Sequence, residues 1–289
     1  MPLIQKANDT DNKVLSVSNL RTYFITKKGE IKAVDDISFE LEKGEILCII
    51  GESGSGKTAT ALSILRLIEK PGKVIAGSIL FHSTDILKLP EKEMRSIRGN
   101  KISMIFQDAS SSLNPVMRIG NQITESLILH LKLNKKEARA KALELLASVG
   151  IPQAEERFDE YPHQFSGGMK QRVMIAMALS CSPEVLIADE PTTALDVTIQ
   201  AQILDIFKKL KNITSILYIT HDIGVVSEIA DRIIVMYAGK LLEKGDAKEV
   251  LSSPIHPYTR ALINCLPSDK NKGKLVSIPG TIPDLIDLP

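Results

Sequence analysis

The chain has 289 residues, 44% hydrophobic and 25% charged, with 36 Lys and Arg against 35 Asp and Glu. That is ordinary globular composition with length for a full core; it excludes wholesale disorder and, with three scattered cysteines (Cys48, Cys181, Cys265), a disulfide scaffold. A net charge of +1 gives no global electrostatic case for nucleic acid. The polar start, Met1 to Asp11, lacks a hydrophobic signal core. No apolar run approaches the roughly 18 residues of a spanning helix. Together with the odd cysteine count, this predicts reduced thiols and a protein kept inside the cell. The first segments read as strands: Val14, Ser16 and Ser18 alternate with Leu15 and Val17, and Ile37, Phe39 and Leu41 alternate with Ser38, Glu40 and Glu42. Lys43-Gly44-Glu45 is a turn. Ile46-Leu47-Cys48-Ile49-Ile50 is continuously apolar, as a buried parallel strand is. A Gly-rich loop follows, then a helix predicted from about 57 to 68.

The texture changes near residue 108, where Ser110-Ser111-Ser112 and Asn114-Pro115 break the pattern. Signals from there to about residue 165 are helical. Asn134 with Glu137 makes a capping box. Ala138, Ala142, Leu145, Leu146 and Val149 recur at helical spacing, and Gly150 and Pro152 end the run. Val185-Leu186-Ile187-Ala188 reads as a strand, Ile199, Ile203, Ile206, Phe207 and Leu210 as a helical face, and residues 215–220 and 232–237 as further strands. A helical insert therefore splits an α/β core. From about residue 246 the chain is rich in proline (Pro254, Pro257, Pro267, Pro279, Pro283, Pro289) and reads as an appended segment of short elements.

Three motifs carry chemistry. Gly51-Glu52-Ser53-Gly54-Ser55-Gly56-Lys57-Thr58 fits G-x-x-x-x-G-K-[ST]. Its glycines let backbone N–H groups curl onto phosphate oxygens, and the following helix adds its positive end. Lys57 brings charge to the β- and γ-phosphates, and Thr58 offers a hydroxyl to Mg2+. A plain Gly-rich turn would not need the Lys-Thr ending between a buried strand and a helix. The second motif is the strand ending in Asp189-Glu190. Carboxyl ends of parallel strands face the ligand crevice, so Asp189 can hold Mg2+ through its water shell and Glu190 can take a proton from an attacking water. Alone, such a pair is more often a strand ending in solvated acids. The third is Phe165-Ser166-Gly167-Gly168-Met169-Lys170-Gln171, a hydroxyl and bare N–H groups before a helix, suited to an anion or simply to capping.

The order of these motifs resembles the ATP-binding subunits of ABC transporters over about residues 14 to 245. The loop at 51–58 is similar to Walker A, and Gln107 in Ile105-Phe106-Gln107-Asp108 to the Q-loop. Residues 165–169 resemble the signature motif, with Phe for the usual Leu and Met for the usual Gln. Residues 185–190 resemble Walker B, Ala194-Leu195-Asp196 the D-loop, and His221 in Ile219-Thr220-His221-Asp222 the switch histidine. A finer resemblance lies in Ser111-Ser112-Leu113-Asn114-Pro115, Tyr161-Pro162-His163-Gln164-Phe165, the run from Met169 to Ala176, and His256-Pro257-Tyr258-Thr259. These are similar to the D-type ATPases of oligopeptide/dipeptide importers, a group that includes nickel importers.

The resemblance implies an α/β fold: a RecA-like P-loop core of mostly parallel sheet, an antiparallel β subdomain, and an α-helical subdomain inserted at about 108–165. A C-terminal extension would occupy 246–289. It implies ATP and Mg2+ as ligands. Gly51, Glu52, Ser53, Gly54, Ser55, Gly56, Lys57 and Thr58 would bind the phosphates, with Thr58, Gln107 and Asp189 around Mg2+. Glu190 would be the general base, His221 would reach the γ-phosphate, and Gln107 would report nucleotide state. Ser166 and Gly168 would bind the ATP held by a partner ATPase, and Asp196 would line that interface. Phe24 or its neighbour Tyr23 would stack on adenine, Phe24 preferred. The implied partners are two transmembrane permeases, a second non-identical ATPase packed head-to-tail, and indirectly a solute-binding protein, with no nucleic acid. The implied place is the cytoplasmic face of the membrane. Nickel or another small solute stays open as cargo, and a soluble ABC-type ATPase acting on nucleic acid or the ribosome stands as the rival. Such D-type subunits continue past Ile278-Pro279-Gly280 into a cysteine-bearing stretch; the sequence stops at Pro289, so no iron–sulfur cluster and a truncated tail are expected. His163 and His256 are expected to be structural, Cys48 a small core hydrophobe, and Lys135-Lys136 a solvated face.

Overall fold

The computed structural model describes residues 12–193, 195–265 and 286. Ala194 of the D-loop segment and the Pro-rich tail beyond 265, Ile278-Pro279-Gly280 included, lie outside the described residues, apart from Ile286. In chain order the first half forms β1 (Lys13–Thr26), β2 (Gly29–Glu42), β3 (Ile46–Ile50), α1 (Lys57–Ile64), β4 (Gly72–Phe81), β5 (Thr84–Asp85), α2 (Glu91–Ile97), β6 (Ile102–Ile105), α3 (Ala109–Ser112), α4 (Ile119–Leu131) and α5 (Lys135–Ser148). The second half forms α6 (Ala154–Phe158), α7 (Gly167–Leu179), β7 (Val185–Asp189), α8 (Val197–Leu210), β8 (Ser215–Thr220), α9 (Ile223–Ile229), β9 (Arg232–Tyr237), β10 (Lys240–Asp246), α10 (Ala247–Ser252) and α11 (Pro257–Asn264).

Two sheets organise these elements. The first is antiparallel, ordered β2-β1-β4-β5. The second is ordered β10-β9-β3-β8-β7-β6, parallel except for β10. β3 is apolar throughout because it is covered on both faces. Ile46, Cys48 and Ile50 pack toward the helical side with Ile175 and Tyr218, while Leu47 and Ile49 pack toward α1 and the antiparallel sheet with Leu15 and Phe39. In register, Ile50 lies opposite Thr220, and Asp189 opposite Ile219. The segments leaving β3, β7 and β8 therefore emerge together at the carboxyl end of the sheet, where ligands bind in open parallel α/β sheets.

Helices α3 to α6 fill the stretch between β6 and α7. The capping box at the start of α5 is present, with the Asn134 side chain accepting the N–H groups of Lys136 and Glu137 and Glu137 reaching back to the Asn134 N–H. Ala138, Ala142 and Leu146 are its buried face, and Lys135 and Lys136 are exposed. α1 is shorter than the sequence suggests, ending at Ile64 rather than near 68. Arg66 turns into the left-handed region (φ 53°) and spends its guanidinium on the Ile86 and Leu89 carbonyls, while Arg98 caps the Leu65 carbonyl. Tertiary hydrogen bonds thus stop a helix that propensity alone would continue. Among the described residues no helix is long and apolar enough to cross a membrane.

Candidate nucleotide site

The loop leaving β3 needs its glycines for space as well as for conformation. Gly51 (φ 152°) would place a Cβ 2.2 Å from the Met236 carbonyl oxygen, and Gly56 (φ 104°), the N-cap of α1, would place one 2.2 Å from that of Ala33. Only glycine allows this wrap of backbone around an anion-sized hollow. The hollow is filled by Lys57, whose buried Nζ donates to the carbonyls of Gly51 and Glu52 at 2.8 Å each and lies 3.4 Å from Ser55 Oγ. Burial lowers the Lys57 pKa, against the charges of Glu190, Asp189 and Glu52.

Around this loop the fold assembles a cleft. Phe24, Ser53, Gly54, Gly56, Lys57, Thr58, Gln107 and Glu190 line one part of it. Gly51, Glu52, Gln107, Glu190, Thr193, His221 and Leu262 line the adjoining part. Glu190 is the meeting point. Its Oε1 is 3.0 Å from His221 Nδ1, and its Oε2 accepts from Gln107 Nε2 at 2.8 Å and Thr193 Oγ1 at 3.1 Å. Its backbone sits in the left-handed region (φ 46°), a strained place for a glutamate, of the kind concentrated at functional sites. Burial acts to raise the Glu190 pKa, but His221, the Thr193 hydroxyl and Lys57 together hold it below the ordinary carboxylate value. Asp189 goes the other way: burial raises it, with the Thr58 hydroxyl opposing.

Asp189 Oδ1 is buried and has no hydrogen-bond partner. An orphaned carboxylate oxygen beside Thr58 and a phosphate loop fits a divalent cation that keeps some of its water and takes the rest of its ligands from substrate phosphates. Among the described residues, no group of three or more His, Cys, Asp or Glu side chains is placed to hold a metal by itself.

The remaining candidates separate cleanly. Phe24 faces the cleft, whereas Tyr23 does not. Neighbours in a strand point to opposite faces, and Tyr23 is buried with its hydroxyl donating to Asp35 Oδ1 at 2.6 Å; burial and Asp35 push its pKa up to about 12. Of the two aromatics named for adenine, the structure thus places Phe24 on the cleft wall and Tyr23 off it, against Asp35. Ser166, Gly168 and Asp196 do not line the cleft either. Ser166 caps α7 by accepting the Met169 N–H, and Asp196 caps α8 by accepting that of Ile199. Both are exposed, and a Cβ on Gly167 would meet nothing within 4 Å. His163 stacks on Tyr161, and His256 caps α11. Thr193 and Leu262 are cleft residues that the motifs do not single out. Thr193 stands three residues beyond Glu190, where a hydroxyl can turn back onto it; for Leu262 the sequence carries no signal.

Comparison with known proteins follows the same lines. Residues 34–193 match the ABC transporter family, and residues 242–289 match the C-terminal region of oligopeptide/dipeptide transporters. The chain is 53% identical to the dipeptide transport ATP-binding protein DppD of Bacillus subtilis, covering 96% of this chain and 84% of that one. It is 50% identical to the oligopeptide transport ATP-binding protein OppD of Salmonella typhimurium, over 96% and 84%. Among solved structures, it superposes on the dimeric ATP-binding cassette MJ0796 bound to ADP and Pi with a TM-score of 0.73, 28% identity, and coverage of 81% of this chain and 98% of that one.

Proposed function

Because the chain belongs to the ABC transporter ATP-binding proteins, in the oligopeptide/dipeptide D-type family, we propose a specific division of labour among the residues of its cleft. The chain is the ATPase subunit of a dipeptide/oligopeptide importer. The observation that carries the residue assignment is the convergence of the phosphate loop, Asp189, Glu190, Gln107 and His221 at the carboxyl end of the parallel sheet.

ATP enters with its adenine against Phe24 and its phosphates in the hollow of residues 51–58. Lys57 leaves the Gly51 and Glu52 carbonyls for the phosphate oxygens, exchanging neutral acceptors for charged ones. The backbone N–H groups and the N-terminal end of α1 complete the anion cradle. Thr58, Asp189 and Gln107 would hold Mg2+, which supplies charge neutralisation on the phosphates. Glu190, kept ionised by its neighbours, accepts the proton of the attacking water as oxygen bonds to the γ-phosphorus; ADP and phosphate leave. His221 orients Glu190 and reaches the γ-phosphate. Gln107 bridges Glu190 and the helices that follow β6, so it feels whether the γ-phosphate is present.

Ser166 and Asp196 are exposed and Gly168 is half-buried against Ile199; the three would serve a second ATPase subunit, non-identical and head-to-tail, whose bound ATP they would complete. Two permease subunits would receive the motion through the helices between β6 and α7, and a solute-binding protein would deliver the cargo. The chain would sit on the cytoplasmic face of the membrane, held by the permeases. A tagged chain recovered from detergent-solubilised membranes tests this assembly. Two multi-span proteins and a second, different ATPase in the eluate support it; recovery of nucleic acid or soluble proteins alone contradicts it.

A further inference from the structure

We infer that Tyr258 is a positioning residue for the phosphate-binding loop, acting through the peptide unit between Gly51 and Glu52. Its hydroxyl accepts the Glu52 N–H at 3.3 Å. The carbonyl of the same peptide, Gly51 C=O, accepts Lys57 Nζ at 2.8 Å. One peptide plane is thus held from both ends, in the chain Tyr258 hydroxyl, Glu52 N–H, Gly51 C=O, Lys57. Hydrogen bonds in such a chain polarise and strengthen one another. Gly51 has no Cβ and a φ of 152°, so the peptide after it can turn easily unless something fixes it.

Tyr258 is itself well placed to fix it. β10 and the start of α11 are clamped together: Glu243 accepts the N–H groups of Ile255 at 2.8 Å and His256 at 3.0 Å, and His256 Nδ1 accepts that of Tyr258 at 3.1 Å. The Tyr258 ring packs on Tyr237, with centroids 4.6 Å apart. One turn further along α11, Leu262 forms part of the cleft wall beside Glu52 and His221. The C-terminal region therefore reaches the phosphate site twice, through the Leu262 side chain in the cleft wall and through the Tyr258 hydroxyl on the loop itself. When ATP draws Lys57 off the Gly51 carbonyl, Tyr258 keeps the peptide from swinging into the hollow. The loop then meets the phosphates already shaped, and its ordering cost on binding is lower.

This inference rests on reading the cleft as the ATP site, and the test separates the two. Tyr258→Phe removes the hydroxyl and keeps the ring. ATP binding to the full chain is measured by titration, and ATPase KM and kcat in the assembled transporter. The expected result is a roughly 3- to 10-fold rise in Kd and KM, the worth of one net hydrogen bond, with kcat within about twofold and an unfolding temperature lowered by no more than about 4 °C, the same hydrogen bond lost from the folded chain. Tyr237→Phe, which removes a hydroxyl one ring away, leaves Kd unchanged. An unaltered Kd for Tyr258→Phe overturns the inference. So does a rise in Kd matched by Tyr237→Phe, or one accompanied by a fall in unfolding temperature well beyond about 4 °C, since lost packing would then account for it. If the unaltered chain binds no ATP, the ATP-site reading falls and the inference with it.

Discussion

The loop at 51–58 and the turn at Ser166–Gly168 both offer bare N–H groups ahead of a helix, yet only the first is enclosed by its own chain. Lys57 is buried against three oxygens of the loop, the Ala33 carbonyl leaves no room for a Cβ on Gly56, and Glu190, His221 and Gln107 line the cleft around it. Around Gly167 there is open space among the described residues, and the Ser166 hydroxyl caps the first turn of its own helix. Asp196 is exposed in the same way, next to Val197, which is 83% exposed. Sequence motifs of similar chemistry can thus stand for a site enclosed by its own chain and for one left open, and enclosure separates the two.

The largest effect is expected in the enclosed half. Glu190→Gln keeps the hydrogen-bonding shape and removes the base, so ATPase activity of the assembled transporter falls by about 10²- to 10⁴-fold, while ATP still binds; a steady-state assay beside an ATP titration checks both. A second pair sets glycine against glycine. Gly56→Ala forces a left-handed alanine into the Ala33 carbonyl and costs about 2 kcal/mol or more of folding stability, whereas Gly167→Ala, at the first position of α7 with nothing to meet, changes stability little or raises it by up to about 1 kcal/mol. Denaturant melts of the two variants compare the halves without any ligand. The smallest effect concerns Asp189. Its pKa is raised in the folded chain, so its contribution to stability is full below the ordinary Asp value and is lost as pH rises through the folded one. Above that folded value the ionised carboxylate, with one oxygen orphaned, is a cost, and Asp189→Asn should raise the unfolding temperature of the nucleotide-free protein. That gain should shrink as pH is lowered toward about 4. A gain that persists there would point to packing rather than charge.

Much of the fold is legible in the sequence alone. The strands at 46–50, 185–189, 215–220 and 232–237 announce themselves because parallel strands covered on both faces read as near-continuous apolar runs, here broken by Asp189, Ser215, Thr220 and Arg232 at strand ends. The Asn134–Glu137 box is local chemistry and reads locally. β4, β5 and β6 carry no such signal: β4 is largely exposed along its first residues, and β5 and β6 are too short to show a period. The end of α1 escapes a local reading because Arg66 and Arg98 stop it through carbonyls distant in sequence. Choosing Phe24 over Tyr23 needs the register of β1, and Tyr258 needs the return of α11 to the loop more than 200 residues earlier, a juxtaposition no spacing encodes.

The central claim, that this chain holds one enclosed phosphate site and lends a bare one to another subunit, meets its most direct test in ATP titrations of the isolated chain carrying Lys57→Ala or Ser166→Arg. Lys57→Ala should weaken binding by about 10- to 100-fold, the worth of its charge-assisted hydrogen bonds, and Ser166→Arg should leave the affinity within about twofold. Equal losses in the two variants, or a loss confined to Ser166→Arg, would contradict the account.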